Sequence, residues 1–381
     1  MAKKNEKLGA AKTAKNDEFY TQYIDIAKEM QAYLDYNPDV FRGKTILLPC
    51  DDPEWSNFTK YFAQNFEQFG IKKIISTSFA SGSKSYKMDW CPTLFETENP
   101  LFSADKTEVC GKIFVLARDT NGDNHIDIND LEWQYLDGTG DFRSEEVTRL
   151  RDEADIIITN PPFSLFREFL SWVKEGNKQF IVIGHQNAIT YKEVFPLIRD
   201  NQMWLGMGFK GGATHFISPY QDTATAGDHK DGMIRVSGVV WFTNIEHGRR
   251  HQPMQLMTTV DNIKYSKHKE IRNIGYAQYD NYDAIDIPYT DAIPSDYTQK
   301  MGVPVTFLDK YCPEQFEIIG SADNVGWLAS DGALPMGQNT IDLLRQNGNK
   351  AHVTANMTSL YYIKDGIVNL PYKRIIIRKK Q

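Results

Sequence analysis

The stretch DIIITNPPFSLFREFL, residues Asp155 to Leu170, joins a short apolar run to an amphipathic run through two consecutive prolines. The apolar run is typical of a buried strand, and the apolar residues after Ser164 recur at helical spacing. We predict Ser164 as the N-cap of this helix, because a serine side chain can accept a hydrogen bond from the first turn. Asn160 to Phe163 form a stiff loop between them, since proline fixes φ at about −65° and donates no N–H.

The same alternation of apolar strands and amphipathic helices extends on both sides of this stretch. Further strands are predicted at 44–50, 71–79, 179–185 and 203–208, and further helices at 54–70, 147–154 and 191–201. The segments 214–219 and 236–245 are predicted to pair as a hairpin. Strands that alternate with helices over this length predict an α/β fold with a doubly wound, mostly parallel sheet.

Changes of composition predict how the chain is divided. The first 15 residues carry five lysines against one glutamate, and we predict a basic mobile arm over residues 1–16. The α/β domain is predicted over residues 17–247, with an acidic insertion at about 84–140. After Gly248 the sequence is aromatic and rich in turns, which predicts a smaller module of mixed structure over residues 248–381.

The bulk composition is that of a globular protein. The 381 residues are 41% hydrophobic, and no run approaches the ~20 apolar residues that span a bilayer. Four cysteines show neither metal-binding nor disulfide spacing, which favours a reducing, cytoplasmic location. Residues 84–141 hold 5 basic and 12 acidic side chains, so this segment alone accounts for the net charge of −7. The rest of the chain is balanced, so charge neither requires nor excludes DNA as a partner.

The loop from Asn160 to Phe163 has the groups needed to hold a planar amino group. Open α/β sheets bind ligands at the carboxyl ends of their strands, and this loop leaves such an end. The Asn160 side chain and the proline carbonyls can accept both amine hydrogens, while Phe163 can stack on the ring that carries them. This grip directs the nitrogen lone pair out of the ring plane. A purine or pyrimidine amine is the predicted acceptor; the alternative is that Asn-Pro-Pro only marks a turn.

Four segments together resemble a known enzyme family. DIIITNPPF, residues 155–163, resembles the catalytic motif of amino-methyltransferases that act on DNA. With DEFYTQ (17–22), CDDPEWSNFTKYF (50–62) and GDFRS (140–144), the chain resembles the EcoRI-type adenine-N6 DNA methyltransferases. This resemblance implies a Rossmann-like core that uses S-adenosylmethionine as the methyl donor.

The resemblance also implies a substrate and partners. It implies site-specific methylation of an adenine that is flipped out of double-stranded DNA, within a restriction–modification system. Residues 17–247 are then the methyltransferase domain and residues 248–381 the target-recognition module. A cognate restriction nuclease is implied as part of the system, without direct contact.

The resemblance assigns roles to individual residues. It implies a catalytic loop of Asn160, Pro161, Pro162 and Phe163, in which Asn160 and the Pro161 carbonyl accept from the adenine amine and Phe163 stacks on the base. One of two adjacent aspartates is implied to bind the methionine amino group, while the other can cap the following helix. The residues implied to bind the cofactor are Tyr20, Thr21, Asp51, Asp52, Asp141 and Phe142. For the last two, a turn acid and a core aromatic are the alternative.

Within the acidic insertion, the spacing of oxygen side chains predicts a structural calcium site. DTNGDNHIDIND, residues 119–130, matches the ligand positions of an EF-hand-like loop. The predicted ligands are Asp119, Asn121, Asp123, the backbone carbonyl of His125, Asp127 and Asp130. Asn124 replaces the usual glycine, and asparagine tolerates the left-handed conformation required there. The alternative is a solvated acidic turn.

Two other classes of function stay open at this point. The first is an amino-methyltransferase with another acceptor, which includes RNA adenine, cytosine N4 and protein glutamine. The second is a calcium-binding, catalytically silent DNA-binding protein. The presence of Asn160 before the prolines favours adenine N6 or glutamine over cytosine.

Overall fold

The computed structural model describes residues 20–53, 56–80, 100–209, 213–217, 233–322 and 327–380. The chain forms two compact units. The first unit consists of Met1–Ala188 and Trp204–Gly248, and the second of Ile189–Met203 and Arg249–Gln381. The predicted basic arm and residues 84–99 of the acidic insertion lie outside the described residues.

The first unit is built on a sheet of eight strands. They are β1 (Thr45–Leu48), β2 (Lys73–Ser78), β3 (Lys112–Leu116), β4 (Glu132–Tyr135), β5 (Ile156–Thr159), β6 (Gln179–His185), β7 (Trp204–Leu205) and β10 (Val239–Thr243). Their order is β4-β3-β2-β1-β5-β6-β10-β7, and the four central strands β2, β1, β5 and β6 are parallel. The outer strands are antiparallel. This confirms the predicted α/β fold with a sheet whose central strands are parallel.

The central strands are continuous apolar runs because both of their faces are covered. All four residues of β1 and of β5 are buried. The two strands pair in register, with Ile46 opposite Ile156 and Leu47 opposite Ile157. Runs of this kind are typical of parallel sheets with helices on both sides, whereas half-exposed strands alternate.

Six helices of the first unit are described: α1 (Tyr23–Tyr36), α2 (Asn57–Gln64), α3 (Phe66–Phe69), α4 (Ala104–Val109), α5 (Glu145–Glu153) and α6 (Phe166–Glu175). The helix predicted at 54–70 is divided at Asn65 into α2 and α3. The aromatic residues Phe58, Phe62 and Phe69 of these helices are buried, and Trp55 lies outside the described residues. Gly70 ends α3 in the left-handed conformation at φ 63°.

The predicted N-cap at Ser164 is wrong. A 3-10 turn occupies Phe163–Leu165, and α6 begins after it at Phe166. The turn forms because the Pro162 carbonyl accepts from the backbone N–H of Leu165 at 2.9 Å. Ser164 is therefore inside the turn, and the N-cap position falls on Leu165, whose side chain makes no capping hydrogen bond.

The hairpin predicted from 214–219 and 236–245 is only partly correct. β8 (Ala213–Ile217) pairs antiparallel with β9 (Met233–Ser237) in a separate two-stranded sheet. Gly238, with φ 72°, separates β9 from β10. β10 instead enters the main sheet between β6 and β7. The prediction took residues 236–245 as one strand, because a single glycine does not by itself indicate that a strand ends.

The second unit is a smaller module of mixed structure, as predicted. Its main sheet has the order β11-β12-β13-β17-β14, and β15 and β16 form a hairpin. The strands are β11 (Ala277–Gln278), β12 (Ile285–Asp286), β13 (Met301–Pro304), β14 (Phe316–Ser321), β15 (Tyr362–Lys364), β16 (Ile367–Asn369) and β17 (Arg374–Lys379). Its helices are α7 (Phe195–Arg199), α8 (Thr259–Tyr265) and α9 (Gln338–Gln346). Across both units, none of the described helices is long and apolar enough to cross a membrane.

Candidate active site

The order in which the chain adds strands to the main sheet reverses between β1 and β5. The chain runs from β1 to β2 on one side, and β5 follows on the other side of β1. In open α/β sheets this switch point opens a crevice at the carboxyl ends of the strands, and ligands bind there. The loops that leave β1, β2 and β5 at this edge are residues 49–52, 79–80 and 160–163. The predicted catalytic loop therefore follows β5, and both predicted aspartates follow the adjacent strand β1.

The loop after β5 presents acceptor groups beside an aromatic ring. Asn160 and Pro161 are buried, and Phe163 is half-buried against the main apolar core. The amide Nδ2 of Asn160 donates to Thr21 Oγ1 at 3.5 Å. The Pro162 carbonyl accepts from Leu165 N in the 3-10 turn, whereas none of the backbone N–H groups of the described residues donates to the Pro161 carbonyl.

Asp51 is a structural residue of the loop after β1. Its side chain is 2% exposed, and its carboxylate accepts from Ser56 Oγ, Thr59 N (3.1 Å) and Thr59 Oγ1 (2.8 Å). Its own backbone N–H donates to Thr77 in β2 at 2.9 Å, and its carbonyl accepts from Ser76 Oγ. Asp51 therefore anchors the first turn of α2 to β2.

Burial raises the pKa of the Asp51 carboxyl to about 7, although hydrogen bonds from Ser56 and Thr59 act in the opposite direction. The neighbouring Asp52 raises it further. Asp52 itself is half-exposed, and its backbone carbonyl accepts from Ser56 N at 2.7 Å. The two adjacent aspartates are thus in different environments.

We expect Asp51→Asn to remove a pH dependence of stability between about pH 4 and pH 7. In this window the folded protein keeps a proton on Asp51 that the unfolded chain releases, so the free energy of unfolding of the wild type falls as pH rises. Urea denaturation at several pH values measures the difference. The exposed Asp137→Asn is the control, and equal slopes for all three proteins would contradict the prediction.

The turn after β1 contains no glycine, and a cysteine takes the strained position. Cys50 has φ 66°, in the left-handed region that glycine adopts at no cost. The left-handed turn after β1 therefore forms without a glycine.

The segment before α1 joins the loop 160–163 to α2. Tyr20 and Thr21 are both buried. The Thr21 carbonyl accepts from Asn57 Nδ2 at 2.8 Å, and its hydroxyl accepts from Asn160. Thr21 therefore lies at the switch point, and Tyr20 directly precedes it in the chain.

The GDFRS segment is pressed against the carboxyl end of β2. A Cβ on Gly140 would be 2.2 Å from the Ser78 carbonyl oxygen, and Gly140 has φ 81°. The Asp141 carboxylate is held by Arg143 through two side-chain hydrogen bonds of 2.9 and 2.7 Å. These bonds raise the pKa of the Arg143 guanidinium. The packing of Gly140 thus brings Asp141 to the same edge as Asp52.

Phe142 is in the apolar core. Its side chain is 3% exposed, and its ring contacts those of Phe169 and Trp172 edge to face, with centroids 5.1 and 5.6 Å apart. This is the packing expected of a core aromatic, which the sequence had left as the alternative. The ring holds the segment that carries Asp141 against α6.

The acidic loop 119–130 folds around its own backbone. The Asp119 carboxylate accepts from the N–H groups of Gly122 (2.6 Å) and Asn124 (2.9 Å), and Asn124 has the left-handed φ of 65°. The buried Asp130 accepts from Thr120 N at 2.8 Å, which lowers its pKa. In the part of the chain that the structure describes, no three His, Cys, Asp or Glu side chains are grouped as metal ligands. Calcium binding stays a prediction.

Sequence reasoning missed a polar group at the carboxyl end of β6. His185, Gln186 and Asn187 leave the same edge as the catalytic loop, because β6 is the parallel neighbour of β5. Asn187 N donates to His185 Nδ1 at 3.1 Å. A Cβ on Gly238 would be 3.0 Å from His185 Nε2, so the backbone between β9 and β10 closely covers this group. The available signal was the polar sequence that follows the buried run QFIVIG.

Comparison with known proteins identifies the family. The family described as adenine-specific methyltransferase EcoRI matches residues 7–380. The chain belongs to this family. It is 38% identical to the type II methyltransferase M.EcoRI of Escherichia coli over 320 residues, which cover 83% of this chain and 89% of that protein. No solved structure matches the chain.

Two further relatives extend over almost the whole length. The type II methyltransferase M.MpnI of Mycoplasma pneumoniae is 32% identical, with 97% of both chains covered. M.MgeORF184P of Mycoplasma genitalium, also a type II methyltransferase, is 31% identical, with 97% of this chain and 98% of that protein covered. The protein is therefore a methyltransferase of the EcoRI family, and the earlier resemblance is confirmed.

Proposed function

We propose that this methyltransferase transfers a methyl group from S-adenosylmethionine to N6 of a flipped-out adenine in a short double-stranded DNA sequence, as part of a restriction–modification system. The observation that carries the proposal is the Asn-Pro-Pro-Phe loop, which leaves β5 at the switch point of the sheet. Membership of an adenine-specific family supports the choice of acceptor.

On the acceptor side, the proposed contacts follow from the orientation of Asn160. Its Nδ2 donates to Thr21, which leaves Oδ1 as the atom that accepts from the adenine amine. The Pro161 carbonyl accepts the second hydrogen, and the half-buried Phe163 stacks on the base. A base inside a duplex cannot reach a loop at the bottom of a crevice, so the adenine must be flipped out.

On the donor side, the switch point fits S-adenosylmethionine. When bound, this cofactor supplies an activated methyl group, so the protein needs no strong general base. Because Asp51 is used to anchor α2, we propose Asp52 as the carboxylate that binds the methionine amino group. Asp141 then hydrogen-bonds the adenine of the cofactor, and Tyr20 and Thr21 cover it.

The chain accelerates the transfer by positioning. Holding two reactants in line can lower the activation free energy by about 7–11 kcal/mol relative to the same reaction between free molecules. The rigid loops after β1 and β5 provide this alignment, because proline and anchored side chains restrict both of them. We further propose residues 248–381 as the target-recognition module, where the recognised sequence is read.

The test is transfer of labelled methyl groups to genomic DNA from a bacterial strain without adenine methylation, followed by single-molecule mapping of the modified bases. N6-methyladenine in one short motif supports the proposal. Label in cytosine, or label in RNA or protein glutamine with none in DNA, assigns one of the other acceptors instead. Absence of S-adenosylmethionine binding by the wild type would overturn the proposal altogether.

For the acidic loop, we propose a structural calcium ion of modest affinity. Oxygen ligands at these spacings suit calcium, and an aspartate in place of the usual glutamate at the last position weakens binding. We expect calcium to raise the melting temperature of chelator-treated protein, and we expect Asp119→Asn with Asp123→Asn to remove the response. If calcium leaves the wild-type melting temperature unchanged, the site does not exist.

A further inference from the structure

Thr159, the last residue of β5, connects the two loops of the switch point. Its side chain is fully buried, and its hydroxyl donates to the backbone carbonyl of Pro49, the residue that follows β1. The backbone ladder between the two strands pairs Ile46 with Ile156 and Leu47 with Ile157. The Thr159–Pro49 bond is therefore two residues beyond the last ladder pair, at the point where the loops begin.

Each of the two residues is followed directly by a part of the candidate site. Pro49 precedes the left-handed Cys50 and then Asp51 and Asp52, whereas Thr159 precedes Asn160. On its other side the β1 loop is tied to β2, because Asp51 N donates to Thr77 O. The Thr159 hydroxyl adds the link from this loop to β5.

We propose that Thr159 is a positioning residue, whose hydroxyl sets the separation between the donor-side loop 49–52 and the acceptor-side loop 160–163. The inference rests on the proposed function, since it concerns the alignment of the cofactor with the target amine. In-line transfer requires reacting atoms about 3–3.5 Å apart, and a displacement of about 1 Å can cost a hundredfold in rate. Because the Thr159 side chain is fully buried and its hydroxyl donates to Pro49, we infer that it acts through Pro49 and Asn160.

The test uses three variants of the full chain. Thr159→Val keeps the shape of the side chain but removes the donor, and Thr159→Ser keeps the donor. Thr243→Val is the matched control, because Thr243 is also fully buried and its hydroxyl donates to a backbone carbonyl, that of Phe180, at 2.8 Å. Thr243 is in β10, which β6 separates from β5, and its hydroxyl bond joins β10 to β6 rather than either of the two loops.

The measurements are S-adenosylmethionine affinity, melting temperature and the single-turnover rate on an unmethylated DNA duplex that contains the recognised motif. We expect Thr159→Val to reduce the rate roughly ten- to a hundredfold with cofactor affinity within about threefold, and Thr159→Ser to restore most of the rate. Thr243→Val should lose stability without loss of rate. Equal rates of Thr159→Val and wild type, below both melting temperatures, would overturn the inference. Failure of the wild type to methylate any DNA would instead overturn the proposed function.

Discussion

Asn160→Ala is expected to reduce methyl transfer to DNA by about a hundredfold to a thousandfold, with S-adenosylmethionine affinity nearly unchanged. The variant removes one of the two proposed acceptors for the adenine amine and leaves the β1 loop intact. The amine then loses its fixed orientation, and orientation is the main source of the proposed rate enhancement. The single-turnover rate and the equilibrium affinity for S-adenosylmethionine, measured on the same preparation, separate the two effects.

A second asparagine of the same unit offers a matched control for this experiment. Asn244 accepts from Phe180 N at 2.8 Å and donates to Lys178 O at 3.1 Å, next to the start of β6. Asn244→Ala removes a comparable pair of hydrogen bonds at the opposite edge of the sheet. We expect it to lower the melting temperature and to keep the rate. An Asn160→Ala protein that is folded and methylates DNA at the wild-type rate would exclude Asn160 from catalysis.

The local parts of the fold could be predicted because they depend on neighbouring residues. The continuous apolar runs of β1 and β5 predict buried strands, and Pro161 and Pro162 predict the stiff loop that follows β5. The prediction of an N-cap at Ser164 was wrong for a local reason too. The rule for helix starts does not anticipate a 3-10 turn in which the Pro162 carbonyl accepts from Leu165 N.

The contacts that assemble the candidate site could not be predicted in this way. Asn160 contacts Thr21 across 139 residues of sequence, and Thr159 contacts Pro49 across 110. No periodicity of a single chain specifies such pairs. The order of strands in the sheet decides them, and that order depends on the packing of the whole unit.

The two adjacent aspartates illustrate the same limit. The family resemblance implies that one of Asp51 and Asp52 is a ligand and that the other can cap a helix, but two identical residue types cannot be distinguished from sequence. The two residues differ because Ser56 and Thr59 donate hydrogen bonds to the Asp51 carboxylate, and the Asp51 backbone N–H donates to the Thr77 carbonyl. Burial and hydrogen bonding therefore distinguish the two carboxylates, and our proposal of Asp52 as the ligand rests on this difference.

Gly140→Ala is expected to destabilise the protein by about 2–5 kcal/mol and to weaken S-adenosylmethionine binding. Two costs add: a left-handed conformation disfavours alanine by about 1–2 kcal/mol, and overpacking against a rigid neighbour costs about 1–3 kcal/mol. The new Cβ would be 2.2 Å from the carbonyl oxygen of Ser78, at the end of β2. This neighbour is rigid because it is a backbone atom of a strand and not the end of a flexible side chain. Relief of this contact moves the segment that carries Asp141 away from the crevice.

Gly122→Ala separates the two costs. Gly122 has the same φ of 81°, and nothing lies within 4 Å of a Cβ built on it. We expect this control to lose only the conformational part, about 1–2 kcal/mol in urea denaturation, and to bind S-adenosylmethionine like the wild type. The difference between the variants then measures the contact with Ser78. If Gly140→Ala and Gly122→Ala are equally stable and bind the cofactor equally, the GDFRS segment is not held against β2, and Asp141 loses its proposed place in the site.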